Sequence, residues 1–162
     1  MKITFFCLAM LVAFCSFFSL KKGHFQVLES TSQQWHAGIP SGGSGTEYAF
    51  RMVISGNEPV RFDSVWLSEK AFRVQVVKGN MVPYGSTFKR GDTLLLRVSD
   101  NRPGKMPGPA GAAASHGAVE ADKVVMPPMH YKGEALLRYY AAGKPHYFTF
   151  TGIKKLPPQN MP

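Results

Sequence analysis

The chain has 162 residues, enough for one domain and short of two. Its net charge is +9, from 19 Lys and Arg against 10 Asp and Glu. The cations stand singly or in pairs such as Lys89-Arg90 and Lys154-Lys155, with no arginine-rich run or stripe, so nucleic acid is not an expected partner. The two cysteines, Cys7 and Cys15, both fall in the N-terminal apolar run, which removes disulfides and thiolate metal sites from the rest of the chain.

Met1-Lys2 precedes an almost unbroken apolar stretch from Ile3 to Leu20, closed by Lys21-Lys22. A basic residue before such a run is the start of an export signal. The run is also long enough to cross most of a bilayer core of ~30 Å. Residues 1–22 therefore read as a signal peptide cut near Ala13-Phe14-Cys15 or as a retained membrane anchor, with acylation at Cys15 as a third route. Each places residues 23–162 outside the cytoplasm: in the periplasm, at the cell surface, or anchored facing outward. Membrane contact is expected through residues 3–20 where they are retained, and the net positive charge adds some affinity for anionic envelope surfaces.

From Phe25 onward the pattern has period two, the signature of strands with one face turned to a core. Phe25 to Leu28 opens a first strand that continues toward Trp35. Tyr48, Phe50, Met52 and Ile54 form one face of a second. Val60, Phe62, Ser64 and Trp66 alternate with Arg61, Asp63 and Val65 in a third. Phe72, Val74 and Val76 mark a fourth, and Leu94, Leu96 and Val98 a fifth. Glu134 to Ala141 and Pro145 to Ile153 flank a glycine-containing link and read as a hairpin. Ser55 to Pro59, Ser68-Glu69, Lys78-Gly79-Asn80 and Arg90-Gly91-Asp92 supply turn chemistry. The expected fold is all-β: an immunoglobulin-like sandwich of about seven antiparallel strands.

Two segments break this rhythm. Gly38 to Gly45 reads as a flexible glycine loop. It lacks the Lys-Ser/Thr pair of a P-loop, and no helix follows to present its N-terminus to a phosphate. Residues 100–132 are rich in Pro, Gly and Ala and are expected to form a mobile loop, so that deleting Arg102 to Asp122 leaves the fold intact. Loops on a rigid scaffold commonly carry binding, which makes 36–45 and 100–132 the expected contact regions for a protein or cell-surface partner.

Chemistry-bearing motifs are sparse. The histidines are not paired at ligand spacing, no nucleophile elbow is present, and the few carboxylates are scattered, so no catalytic residue is nominated and the chain is expected not to be an enzyme. Met126, Met129 and His130 form the one soft-ligand group, with Met106 and His116 upstream. Thioether and imidazole suit Cu(I), so a periplasmic copper-binding protein is the alternative reading; methionines filling gaps beside prolines and aromatics is the plainer account. Otherwise no cofactor is expected. The aromatics Trp35, Trp66, Tyr84, Tyr131, Tyr139, Tyr140, Tyr147, Phe148 and Phe150 are expected chiefly to fill two inner faces, although Tyr139 and Tyr140 point to opposite sides and one of them is available for contact.

The segments Glu29 to Gly38, Gly43 to Tyr48, Asp63 to Trp66 and Lys89 to Asp92 resemble stretches of small exported proteins of Bacteroidota-type bacteria. That resemblance spans about residues 26–155. It implies a cell-envelope β domain and brings no catalytic residues with it.

Overall fold

A computed structural model describes residues 23–104 and 126–161. Residues 1–22, with the expected export segment, lie outside this set, as do 105–125, which hold most of the Pro/Gly/Ala-rich stretch with Met106 and His116. Among the described residues no helix is long and apolar enough to cross a membrane.

The described chain is all-β and two-layered. One sheet has six strands in the order β10-β1-β2-β7-β5-β6; the other has four, in the order β4-β3-β8-β9. The strands are β1 (Phe25–Ala37), β2 (Ser44–Ile54), β3 (Val60–Leu67), β4 (Lys70–Arg73), β5 (Gln75–Lys78), β6 (Asn80–Val82), β7 (Thr93–Arg102), β8 (Ala135–Ala141), β9 (Lys144–Phe150) and β10 (Lys154–Met161). The core between the layers is set by the period-two residues. Phe50, Met52 and Ile54 of β2 and Leu94, Leu96 and Val98 of β7 meet Val60, Phe62, Val65, Leu137 and Phe150 from the opposite sheet. Phe50 and Phe150 stack with ring centroids 4.0 Å apart, joining the two layers at their centre.

Ten described strands replace the seven expected, for identifiable reasons. The stretch read as one strand from Phe72 to Val77 is split at Val74. β4 pairs with β3 in one sheet and β5 pairs with β7 in the other, so the chain turns a corner between layers. The Val74 N–H donates to the Asp63 carbonyl at 3.3 Å and pins that corner. Likewise the strand expected to run to Ile153 ends at Phe150. There the chain crosses to the large sheet, with the Ile153 N–H donating to Glu134 Oε2 at 2.6 Å.

β10 has no counterpart among the expected strands, and its Pro157 and Pro158 cannot donate to a ladder. It nevertheless pairs with β1, in parallel, as the edge of the six-stranded sheet. Prolines are tolerated on an edge whose outer side needs no partner. The register slips across the two prolines, and Gln33 Nε2 donates to the Pro157 carbonyl at 3.0 Å.

Gly38 to Gly45 is not a loose connection. Pro40–Gly42 form a 3₁₀ turn, Ala37 N–H donates to the Gly43 carbonyl at 3.0 Å, and β2 already begins at Ser44. Gly43 has φ +79, and a Cβ there would run into the Arg102 carbonyl, so the glycine fits this turn for a steric reason. The other end of the long loop also begins later than expected. Residues 100–102 belong to β7 and pair with Thr46, Gly45 and Ser44. A deletion starting at Arg102 would therefore cut into a sheet.

Candidate arginine and tyrosine face

The site begins with one extra residue in β3. Phe62 pairs with Tyr139 and Ser64 with Arg138, leaving Asp63 as a bulge without its own partner. A bulge resets the alternation of side chains by one position. Val65 thereby enters the core, while Trp66, expected on the same face as Phe62, turns to the outer side of the four-stranded sheet. That outer side carries Arg61, Ser64 and Trp66 from β3, Arg73 from β4, Leu136, Arg138 and Tyr140 from β8, and Tyr147 from β9, with Trp66 and Leu136 fully buried there and the arginines and tyrosines at least partly accessible. Across the four strands Arg73, Ser64, Arg138 and Tyr147 stand in one row, with Arg61 opposite Tyr140 in the next.

Asp63 is the hub of this face. It is only 8 % exposed, yet both its oxygens are engaged. Tyr84 donates to Oδ1 at 2.7 Å; Ser64 Oγ donates to Oδ2 at 2.9 Å. Arg138 donates to the same Oδ2 from Nε at 2.7 Å and from its terminal nitrogen. Burial alone would raise the pKa of this carboxyl. The hydrogen bonds from Tyr84, Arg138 and Ser64 outweigh that and hold it below the usual carboxylate value. Burial pushes the Tyr84 hydroxyl up, and its bond to Asp63 adds to the shift. Desolvation works against the charge on Arg138, but Asp63 more than compensates and holds the guanidinium protonated. The trio is thus fixed in its ordinary charge state, with no member tuned toward neutral pH for proton transfer.

Tyr84 is brought to Asp63 by a tight turn. Ser86 N–H donates to the Pro83 carbonyl at 3.3 Å, and Gly85 takes φ +85, as the third residue of a type II turn requires. Two bonds of 2.8 Å between Val60 and Phe88 fasten the far end of this segment to β3. Between the segment, the β4–β5 corner and β6 lies a cavity of about 380 Å³, with Phe62, Val74, Val76 and Val82 among its walls and Arg73 and Tyr84 at its edge.

Three guanidinium groups on this face lie over aromatic rings: Arg61 over Tyr140 at 4.3 Å, Arg73 over Tyr84 at 4.5 Å, and Arg138 over Trp66 at 5.2 Å from the ring centroids. Such stacking orients the guanidinium and leaves its edge N–H groups for another acceptor. Arg138 spends them on Asp63. Among the described residues no carboxylate comes within ion-pairing distance of Arg61 or Arg73.

The aromatics expected in the core divide between the two sides. Tyr139 and Phe150 are buried inside, whereas Tyr84 is 51 % exposed and Tyr147 is 37 % exposed. Met126 and Met129 are 68 % and 46 % exposed and His130 is exposed as well, so the two methionines do not fill gaps in the core. Beside them Tyr131 donates to the Ser68 carbonyl at 3.2 Å, which fastens this strap to the β3–β4 turn. Elsewhere the fold brings together two histidines far apart in sequence, His24 and His146, with ring centroids 4.8 Å apart, and His24 Nδ1 lies 3.1 Å from the Tyr139 hydroxyl. Among the described residues no three His, Cys, Asp or Glu side chains are grouped to hold a metal.

The sequence nominated neither Asp63 nor the arginines. The available signal was the placement of Arg61, Arg73 and Arg138 at alternate positions of strands that become neighbours, and it required the strand order to be known. Comparisons with protein-family models, with curated proteins and with solved structures found no match.

Proposed function

We propose that the chain is an exported, non-enzymatic cell-envelope module, an immunoglobulin-like sandwich whose outer arginine and tyrosine face holds an acidic partner at or near the cell surface. The observation that carries this reading is the pair Arg61 and Arg73, each laid on a tyrosine ring and each without a carboxylate among the described residues. A guanidinium stacked in this way has lost part of its side-chain freedom before any partner arrives, which lowers the entropy cost of binding. The fixed protonation states of Asp63, Tyr84 and Arg138 favour a static recognition surface over an acid–base centre. Export through residues 3–20 supports an envelope setting, where acidic surface polymers are accessible.

Dextran sulfate is a suitable probe, with uncharged dextran as control. Binding of the sulfated polymer should weaken as salt rises. It should fall about tenfold in the Arg61→Gln, Arg73→Gln double variant, equivalent to about 1.4 kcal/mol. A Lys154→Gln, Lys155→Gln variant removes equal charge elsewhere and should bind nearly as the parent does. Equal losses in the two double variants would reduce the interaction to net charge and end this reading.

The copper alternative keeps one supporting observation, the exposure of Met126, Met129 and His130. Titration with Cu(I) decides it: affinity tighter than micromolar that is lost on Met126→Leu and Met129→Leu supports a site there, and its absence removes it.

A further inference from the structure

We propose that the cavity beside Tyr84 binds a small amphiphilic anion, an apolar body that carries a single carboxylate or phosphate head. This rests on the reading of the arginine face given above and names what its Arg73 end holds. The cavity, about 380 Å³, falls within the range typical of small-molecule sites. It opens where the chain passes from one sheet to the other, and its apolar lining includes Phe62, Val74, Val76, Met81, Val82 and Phe88. Hydrocarbon entering it removes apolar surface from water on both sides of the contact.

The polar groups at its edge are few, and the hydroxyls are already committed. The Tyr84 hydroxyl donates to Asp63, and the Ser86 hydroxyl donates to the Pro83 carbonyl at 2.7 Å. Arg73 and Gln75 remain, and of these only Arg73 carries charge: it is exposed and stacked on the Tyr84 ring, with no acceptor for its N–H groups among the described residues. Arg61 adds positive potential, since the charges of both arginines reach the Tyr84 hydroxyl. One oriented cation at the mouth of an apolar hollow matches one oxyanion joined to an apolar body. A cationic ligand would meet repulsion there, and a neutral one would leave the guanidinium unmatched. At the lip Met81 is 71 % exposed, and its flexible thioether can close over bodies of differing shape.

The test uses the full-length chain in nanodiscs of neutral lipid, titrated calorimetrically against empty nanodiscs. The probes are octanoate, octyl phosphate, octanol and acetate. Octanoate or octyl phosphate should bind at least about tenfold more tightly than octanol or acetate, a difference of about 1.4 kcal/mol. The stronger of the two anions identifies the preferred head. Arg73→Gln should remove that advantage and leave octanol unchanged. Met81→Trp and Val82→Trp, checked for folding by near-ultraviolet circular dichroism, should block octanoate while dextran sulfate still binds. Neither anion binding more tightly than octanol, or the stronger anion binding undiminished in Arg73→Gln, overturns the proposal. If dextran sulfate binding then persists with its arginine dependence, the face survives and only the cavity assignment fails; if both are lost, both fail.

Discussion

At the scale of single residues, Asp63 carries more than any other side chain. Three side chains donate to it, and its backbone carbonyl receives the corner N–H of Val74. Replacing it with Asn keeps the shape but removes the charge that compensates Arg138, a partly buried guanidinium. Asp63→Asn should cost about 2 kcal/mol, since hydrogen bonds to charged groups contribute ~1.5–3 kcal/mol each and the neutral amide retains some of them. Urea unfolding at neutral pH measures this. The carboxyl also makes stability depend on pH. Its folded pKa lies below the unfolded value, so its contribution is complete above the ordinary Asp pKa and disappears as pH falls through the folded one. The unfolded chain takes up this proton first. The parent should lose stability with acid more steeply than Asp63→Asn, while Asp92, lowered by the hydrogen bonds from Lys78 and Lys89, contributes equally to both. Parallel acid limbs for the two proteins would remove Asp63 from this role.

At the scale of elements, what was legible in the sequence was the two-sided strand, and what was not legible was anything that broke the alternation. Phe50, Met52 and Ile54, and Leu94, Leu96 and Val98, lie in the core as their spacing requires. The Ser68-Glu69 turn and the Ala142-Gly143 hairpin are present, with positive φ at Ser68, Ala142 and Gly143. The bulge at Asp63 had no local marker, because a single inserted residue looks like any other polar position until the partner strand is known. Trp66 was consequently assigned to the wrong side, and with it the face on which the arginines gather. The corner at Val74 was hidden for a related reason: its residues keep period two while the chain changes sheet. β10 was hidden by chemistry, since two prolines argue against a strand everywhere except at an edge.

Those prolines have a testable use. They sit on the outermost strand of the six-stranded sheet, where unpaired backbone groups invite pairing with another chain. Pro157→Thr with Pro158→Thr should restore two backbone donors to that strand and promote concentration-dependent self-association. Sedimentation velocity across a hundredfold concentration range reads this out. Identical sedimentation of parent and variant would mean that the edge is protected by something other than the prolines.

At the scale of the whole molecule, the two layers differ in what they present: both cover the core, and the four-stranded sheet carries Arg61, Arg73 and Arg138 on its outer side. Contact was expected from loops at 36–45 and 100–132. Residues 36–45 are instead braced by the 3₁₀ turn and by Gly43, and residues 105–125 lie outside the described set. The contact proposed above lies on a sheet face, where strand register fixes the spacing of arginines and rings. Hydrogen–deuterium exchange of the full chain, with and without dextran sulfate, tests this most directly. Protection gathered in β3, β4, β8 and the 83–88 segment is the expected result. Protection confined to 36–45 or to the Lys154-Lys155 region, with β3 and β8 unchanged, would contradict it.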